Sequence, residues 1–250
     1  MSDADLEVLL NAPPGEVPKL NTASLGLAVH RGGHGATTVS ATMELAAGAG
    51  IRVFSTGGLG GVHRGLTQRL DISADLMAFT RFPVAVVASG CKSILDVANT
   101  REMLETLGVP VVGWRTDEFP AFYQRCVSGA SCRVDARFEN LDDLATFIDR
   151  ELNRTHRGVV VCNPIAPEDE IPQDTWSGWL AEAERRAREA GAEGRDLTPV
   201  LLNSVHEISA GQTLRANIAL VKSNVALGAA LAVHLQARAE AGNTPAYATP

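Results

Sequence analysis

PVAVVASGCKSILD, residues 83–96, is the stretch on which the fold turns. Its first seven residues are small or β-branched and apolar without alternation, the pattern of a strand covered on both faces. Gly90 ends the run, and the spacing over 93–107 predicts a helix, which places Lys92 at that helix's first turn. Upstream, TTVSATMELAAG (37–48) has helical spacing, with Thr37 or Thr38 as its cap. IRVFS (51–55) reads as a short strand running into the glycine cluster TGGLGGVHRG (56–65). Residues 71–79 form a further helix, with Asp71 or Ser73 placed to bond its free N–H groups.

Downstream, VPVVGW (109–114) and GVVVCN (158–163) are strand-like, and 141–152 and 173–190 are helical. The span 198–237 is helical with an interruption near Gly211. The opening residues up to Pro18 are short, polar and Pro-rich, and the end, AGNTPAYATP, reads as frayed. Strands alternating with helices give an α/β layered domain with at least a partly parallel sheet. No internal repeat interrupts this order, so residues 1–250 are expected to form one domain.

Composition narrows the function. The 250 residues are 45% hydrophobic and 20% charged, those of an ordinary globular protein with a real core. Lys and Arg number 22 against 29 for Asp and Glu, a formal net charge of −7 that offers no basic field to a polynucleotide. The start, MSDADLE, is acidic where an export signal is basic, and no apolar run of about 18 residues is visible, so neither export nor a membrane is expected. Cys91, Cys126, Cys132 and Cys162 form no C-x-x-C pair, which suits reduced thiols in the cytoplasm.

Ligands of α/β sheets gather at the carboxyl ends of the strands. The loop 56–65 is one such place: its glycines let backbone N–H groups approach an anion, and His63 and Arg64 follow. It lacks the GxxxxGK[ST] and GxGxxG spacings, so nucleotide motifs are excluded, while a plain tight turn stays open. Lys92 is a second place. A helix N-terminus and burial both disfavour its charge, making it a candidate amine nucleophile for a carbonyl, against the alternative of a lysine reaching out to solvent. Lys19, Lys92 and Lys222 are the only lysines, every other cation being an arginine, which cannot release its proton. Asp71-x-Ser73-x-Asp75 is the third: a hard divalent ion or helix capping both fit it. An EF-hand is excluded by Leu76 and Phe82 at its sixth and twelfth positions. The other histidines show no ligand spacing, and Ser93 lacks a G-x-S-x-G context.

Beyond these readings, the chain resembles the pseudouridine-5′-phosphate glycosidases. The similar segments are GATTVSATMELAAGAGIRVFSTGGLGGVHRG (35–65), DISADL (71–76), PVAVVASGCKSILD (83–96), ETLGVPVVGWRTDEFPAFY (105–123), GVVVCNPI (158–165) and TLRANIALVKSNVALGAALA (213–232). The resemblance implies a three-layer α/β/α sandwich with a mixed, partly parallel sheet, a homotrimer, and manganese as cofactor with magnesium as the alternative. It implies reversible cleavage of the C–C glycosidic bond of pseudouridine 5′-phosphate to uracil and ribose 5-phosphate, a lyase activity. Lys92 matches the family's nucleophilic lysine, which forms an imine with the ring-opened sugar. Asp71 matches the metal-binding aspartate. Lys19, Val39, Ser73, Ala74, Asp75 and Asn217 match substrate-contacting positions, and His63 and Arg64 join them on the glycine loop.

A C–C bond has no leaving oxygen to protonate, so opening the sugar ring and activating its carbon through an imine is chemically apt. Two departures accompany the resemblance. The family's general acid is a glutamate on an N-terminal segment preceding everything matched here, and no glutamate of this chain inherits its place. The family's Arg-Arg-Asp run after the first lysine is Asn21-Thr22-Ala23-Ser24 here. The expected alternatives are therefore a C-glycosynthase joining ribose 5-phosphate to another aromatic acceptor, or an inert sugar-phosphate binder.

Overall fold

The computed structural model describes residues 3–13, 15–65, 70–127, 132–192 and 197–240; the end expected to fray, 241–250, lies outside them. In chain order the elements are α1 (Asp3–Leu10), β1 (Lys19–Leu20), α2 (Thr22–Arg31), β2 (Ala36–Thr37), α3 (Val39–Gly48), β3 (Val53–Ser55), α4 (Ala74–Ala78) and β4 (Ala85–Ala88). There follow α5 (Val97–Thr106), β5 (Val111–Trp114), β6 (Ala136–Phe138), α6 (Leu141–Thr155), β7 (Val159–Cys162), α7 (Gln173–Glu189), α8 (Leu197–Ile208) and α9 (Gln212–Glu240).

Five strands form one sheet in the order β3-β4-β7-β5-β6. Every ladder in it is parallel, and among the described residues antiparallel pairing occurs only as isolated bridges near the loops, such as Val62 with Ile72 and Gly90 with Ala121. The sheet is covered on both faces, as its uninterrupted apolar strands require. Side chains alternate across a strand, so Ala85 and Val87 of β4 pack with Leu144, Ile148, Leu227 and Leu231 of α6 and α9 on one face. Val86 and Ala88 face the other way, into a larger cluster with Met43, Leu76, Leu104 and Trp176 from α3, α4, α5 and α7. The result is the three-layer α/β/α sandwich.

Four sequence expectations need correction. Lys92 is not in a helix. α5 starts at Val97 because Asp96 is the better cap, its side chain accepting from Asn99 N at 3.0 Å, and Lys92 sits in the turn before it. α4 is shorter than expected: Ser73 is its cap, and Asp71 belongs to the loop beside the Val62–Ile72 bridge. The opening residues up to Pro18, read only as polar and Pro-rich, hold the helix α1, and α2 follows directly after β1. Asn21 caps α2 by accepting from Ala23 N and Ser24 N, while the Ser24 hydroxyl accepts from Asn21 N, a capping box hidden in the stretch 21–24. The fourth concerns apolar runs: α9 is long and apolar enough, by length and composition, to cross a membrane. One of its faces nevertheless lies on the sheet, where Leu220, Leu227, Leu231 and Leu235 are buried.

Candidate active site

The parallel ladder delivers two loops to the same end of the sheet. Thr56 N donates to Val87 O at 3.0 Å, Ser89 N to Gly57 O at 2.9 Å and Leu59 N to Gly90 O at 2.9 Å, so the parallel pairing of β3 with β4 continues into the glycine loop. Two residues past β4 the chain bends at Gly90, whose φ of +70° is left-handed and whose missing Cβ would fall 1.6 Å from the Pro120 carbonyl oxygen. Only glycine fits there. The bend it makes carries Cys91 inward and Lys92 outward, and Lys92 N donates to Leu59 O at 3.0 Å, locking the two loops together.

Residues 120–123 buttress this bend. Phe122 N donates to Ser89 O at 2.8 Å, Tyr123 N donates to Ser93 Oγ at 3.2 Å, and Ser93 Oγ donates to Ala121 O. Ser93 is thus a buried structural hydroxyl, in keeping with its lack of a nucleophile motif. Phe122 adopts φ +61°, a strained conformation for a bulky side chain that the packing around it must enforce. A Cβ on Gly58 would lie 2.5 Å from its ring, so the glycines of this loop serve close packing as well as backbone access.

Between the loops lies a cavity of about 680 Å³, large enough for a nucleotide-sized ligand. Lys19, Val39, His63, Asp71, Ser73, Ala74, Asp75, Lys92 and Asn217 all line it, with Gly57, Gly58 and Gly60. Arg64 does not. It is exposed and lines a second cavity of about 410 Å³ with Gln124, Trp176 and Glu184, because the loop turns after His63 and sends successive side chains apart. Asn21, the first residue of the departing stretch 21–24, lines it too, and among the lining residues that the sequence reading did not single out are Leu95, Phe122, Thr198 and Val221. Thr198 Oγ1 lies 3.4 Å from His63 Nε2, a pairing across 135 positions that no local pattern signals.

The electrostatics of the cavity favour uncharged bases. Burial pushes the Lys92 amine below its ordinary 10.5, with the Asp75 carboxylate opposing and the Lys19 ammonium assisting. The helix-dipole contribution expected from sequence does not apply, since Lys92 precedes α5. Burial likewise holds the His63 imidazole below 6.5, against the pull of Asp71 and with the push of Lys19 and Lys92. The neighbouring Cys91 thiol is raised by burial to about 12, so it stays protonated and inert beside Lys92.

The acidic residues divide their work. Asp75 is buried, and each of its oxygens accepts a backbone N–H, from Ser40 at 2.9 Å and from Gly60 at 2.8 Å. Ser73 Oγ accepts from Asp75 N at 3.2 Å as the cap of α4. The run Asp71-x-Ser73-x-Asp75 therefore acts chiefly as a scaffold. Among the described residues no group of three or more His, Cys, Asp or Glu side chains could hold a metal. What remains is Asp71 on the cavity wall, a donor set that suits a hard ion completed by waters and a phosphate, not a protein cage.

Comparison with known proteins assigns the chain to a family. The profile described as Indigoidine synthase A like protein covers residues 1–234. The chain belongs to this family. Relatives of the chain include the pseudouridine-5′-phosphate glycosidase of Methylobacterium nodulans, 48% identical over 228 residues, 91% of this chain and 67% of that protein. The pseudouridine-5′-phosphate glycosidase of Nocardioides sp. is 49% identical over 229 residues, 91% of this chain and 73% of that protein. Among solved structures, the prealnumycin C-glycosynthase AlnA in complex with ribulose 5-phosphate superposes with a TM-score of 0.87 at 34% identity, over 97% of this chain and 78% of that one. An indigoidine synthase A-like protein from Thermotoga maritima gives a TM-score of 0.83 at 39% identity, over 94% and 76%.

Proposed function

We propose that the chain makes and breaks the C–C glycosidic bond of pseudouridine 5′-phosphate, interconverting it with uracil and ribose 5-phosphate through an imine on Lys92. The observation that carries this reading is a single lysine amine, held below its ordinary pKa, facing a cavity that it shares with a glycine loop, Lys19, His63 and Asp71. An uncharged amine can attack the sugar C1′; an ammonium cannot.

In the cleavage direction Lys92 Nζ displaces the ring oxygen at C1′, opening the ribose, and the amine's proton passes to that oxygen, which becomes a hydroxyl and leaves the nitrogen its lone pair. The C–C bond then breaks with its electron pair passing to the base carbon, which takes up a proton, while the nitrogen lone pair forms the C=N bond. Water hydrolyses the imine, returning the amine and releasing ribose 5-phosphate. The backbone of Gly57 and Gly58 and the Lys19 ammonium are assigned to the phosphate and neighbouring oxygens, where fixed N–H groups and a cation favour an anion. Asn217, from α9, is assigned to the polar edge of the base, with Val39 and Ala74 as apolar walls. Asp71 would hold manganese or magnesium through waters, and a bound ion would supply positive charge to an anionic ligand.

A second reading shares the same site. No glutamate lines the cavity among the described residues, whereas His63 is held neutral and is suited to accept a proton. Formation of the C–C bond requires removal of a proton from the acceptor carbon, so this site also fits a C-glycosynthase that couples ribose 5-phosphate to another aromatic ring. Incubation with ribose 5-phosphate and either uracil or other acceptors separates the two. Pseudouridine 5′-phosphate from uracil supports the first; coupling only to another ring supports the second; no product from any acceptor leaves an inert sugar-phosphate binder.

We further propose a homotrimer in the cytoplasm. Leu214, Ile218, Val225 and Val233 stand exposed along the outer side of α9, an apolar stripe that burial against other copies would cover. Light scattering that finds a monomer at micromolar concentration would contradict the assembly without touching the chemistry.

A further inference from the structure

Asn224 lies in the middle of α9, immediately before the apolar run VALGAALAV (225–233), and is fully buried. A buried amide persists where its hydrogen bonds are made. Its Nδ2 donates to the Thr56 carbonyl at 2.8 Å and to the Ser89 hydroxyl at 3.1 Å, while its Oδ1 accepts from Asn163 Nδ2 at 3.0 Å. Thr56 O can only accept, which fixes the orientation of the amide. Ser89 Oγ in turn donates to the Asn163 carbonyl at 2.8 Å.

One side chain thus joins the carboxyl ends of β3, β4 and β7, which are neighbours in the sheet. Two of those ends are the roots of the cavity walls: Thr56 begins the glycine loop, and Ser89 begins the bend that carries Lys92. Asn217 lies seven residues earlier on α9, about two turns away on the same side, and does line the cavity. Asn224 does not line it. We infer that Asn224 is a positioning residue that sets the glycine loop, and with it the bound sugar phosphate, at attack distance from the Lys92 amine. The inference rests on the reading of Lys92 as the amine that captures the sugar aldehyde.

That capture forms a C–N bond and expels the aldehyde oxygen as water, and borohydride then delivers hydride to the C=N carbon to leave a stable secondary amine. The rate of trapping with ribose 5-phosphate therefore reads alignment, and the sugar concentration at half-maximal rate reads binding. Asn224→Asp keeps the shape but places an acceptor against the Thr56 carbonyl. Below its melting temperature it is expected to lower the maximal trapping rate roughly 10- to 100-fold, as small misplacements do, with half-saturation within about threefold of wild type. Ser89→Ala retains the bond to Thr56 and is expected to lose roughly threefold to tenfold in rate, and it carries the test if Asn224→Asp does not fold. A folded variant that traps at the wild-type rate overturns the inference. So does a parallel loss of rate and binding, which a merely structural role would give. Absence of any adduct in the wild type removes the reading beneath it, and is seen before a variant is made.

Discussion

The Asp75 carboxylate and the Gly60 amide are joined by a 2.8 Å hydrogen bond that ties α4 to the glycine loop. The other carboxylate oxygen takes the Ser40 N–H in the first turn of α3, where a helix end favours negative charge. A Cβ on Gly60 would lie 2.7 Å from Asp75 Oδ2, so the bond and the glycine require each other. One carboxylate thereby fixes the floor of the cavity.

Asp75→Asn turns one acceptor into a donor facing a backbone N–H. It is expected to cost about 1–3 kcal/mol of stability and to reduce turnover at temperatures where the protein remains folded. Urea denaturation with parallel kinetics checks both; an unchanged denaturation midpoint would contradict the assigned role.

This latch shows where sequence reading stops. β4 and β7 were legible because continuous β-branched runs have few other fates, and Lys92 stood out in a chain with so few lysines. Asp75 read as part of a possible metal-binding run and as a substrate-contacting position, since only the fold reveals that Ser40 and Gly60 already occupy its oxygens. The helix expected to hold Lys92 begins later because Asp96 outcompetes Ser93 as a cap. Ser93 is instead consumed by Ala121 and Tyr123, contacts far away in the chain. Arg64 followed His63 in sequence yet points into another cavity, as successive loop side chains do. β1, β2 and β6 are two or three residues long, too short to leave a period.

Burial lowers the Lys92 pKa in the folded protein, so between that value and 10.5 the unfolded chain binds more protons. Stability from this group therefore rises with pH through the window and is lost as pH falls through the folded value. The same shift governs chemistry: imine formation with ribose 5-phosphate is expected to rise with pH and level off below 10.5. A rate that levels off only at or above 10.5 would show that the amine is not perturbed.

Gly90→Ala places a Cβ against the Pro120 carbonyl at a left-handed position, and is expected to destabilise the fold by more than about 1 kcal/mol and to displace Lys92. Thermal melting and residual activity report the two effects. A fully active variant of wild-type stability would contradict the bend described for Ser89 to Lys92.

Leu231 is fully buried on the inner face of α9, in one cluster with Val87 and Val159 of the sheet and Leu144, Ile148 and Leu152 of α6. Leu231→Ala is expected to cost about 2–5 kcal/mol, measured by denaturation. A loss below about 1 kcal/mol would mean that α9 does not seal that face.

In the reading proposed above, the Lys92 nitrogen bonds covalently to an aldehyde sugar phosphate. Borohydride treatment in the presence of ribose 5-phosphate, followed by proteolysis and mass spectrometry, tests it at one atom. A reduced sugar-phosphate adduct is expected on the peptide containing Lys92, and none in Lys92→Arg, whose guanidinium stays charged. An adduct confined to Lys19 or Lys222, or no adduct on a protein that binds the sugar, would contradict it.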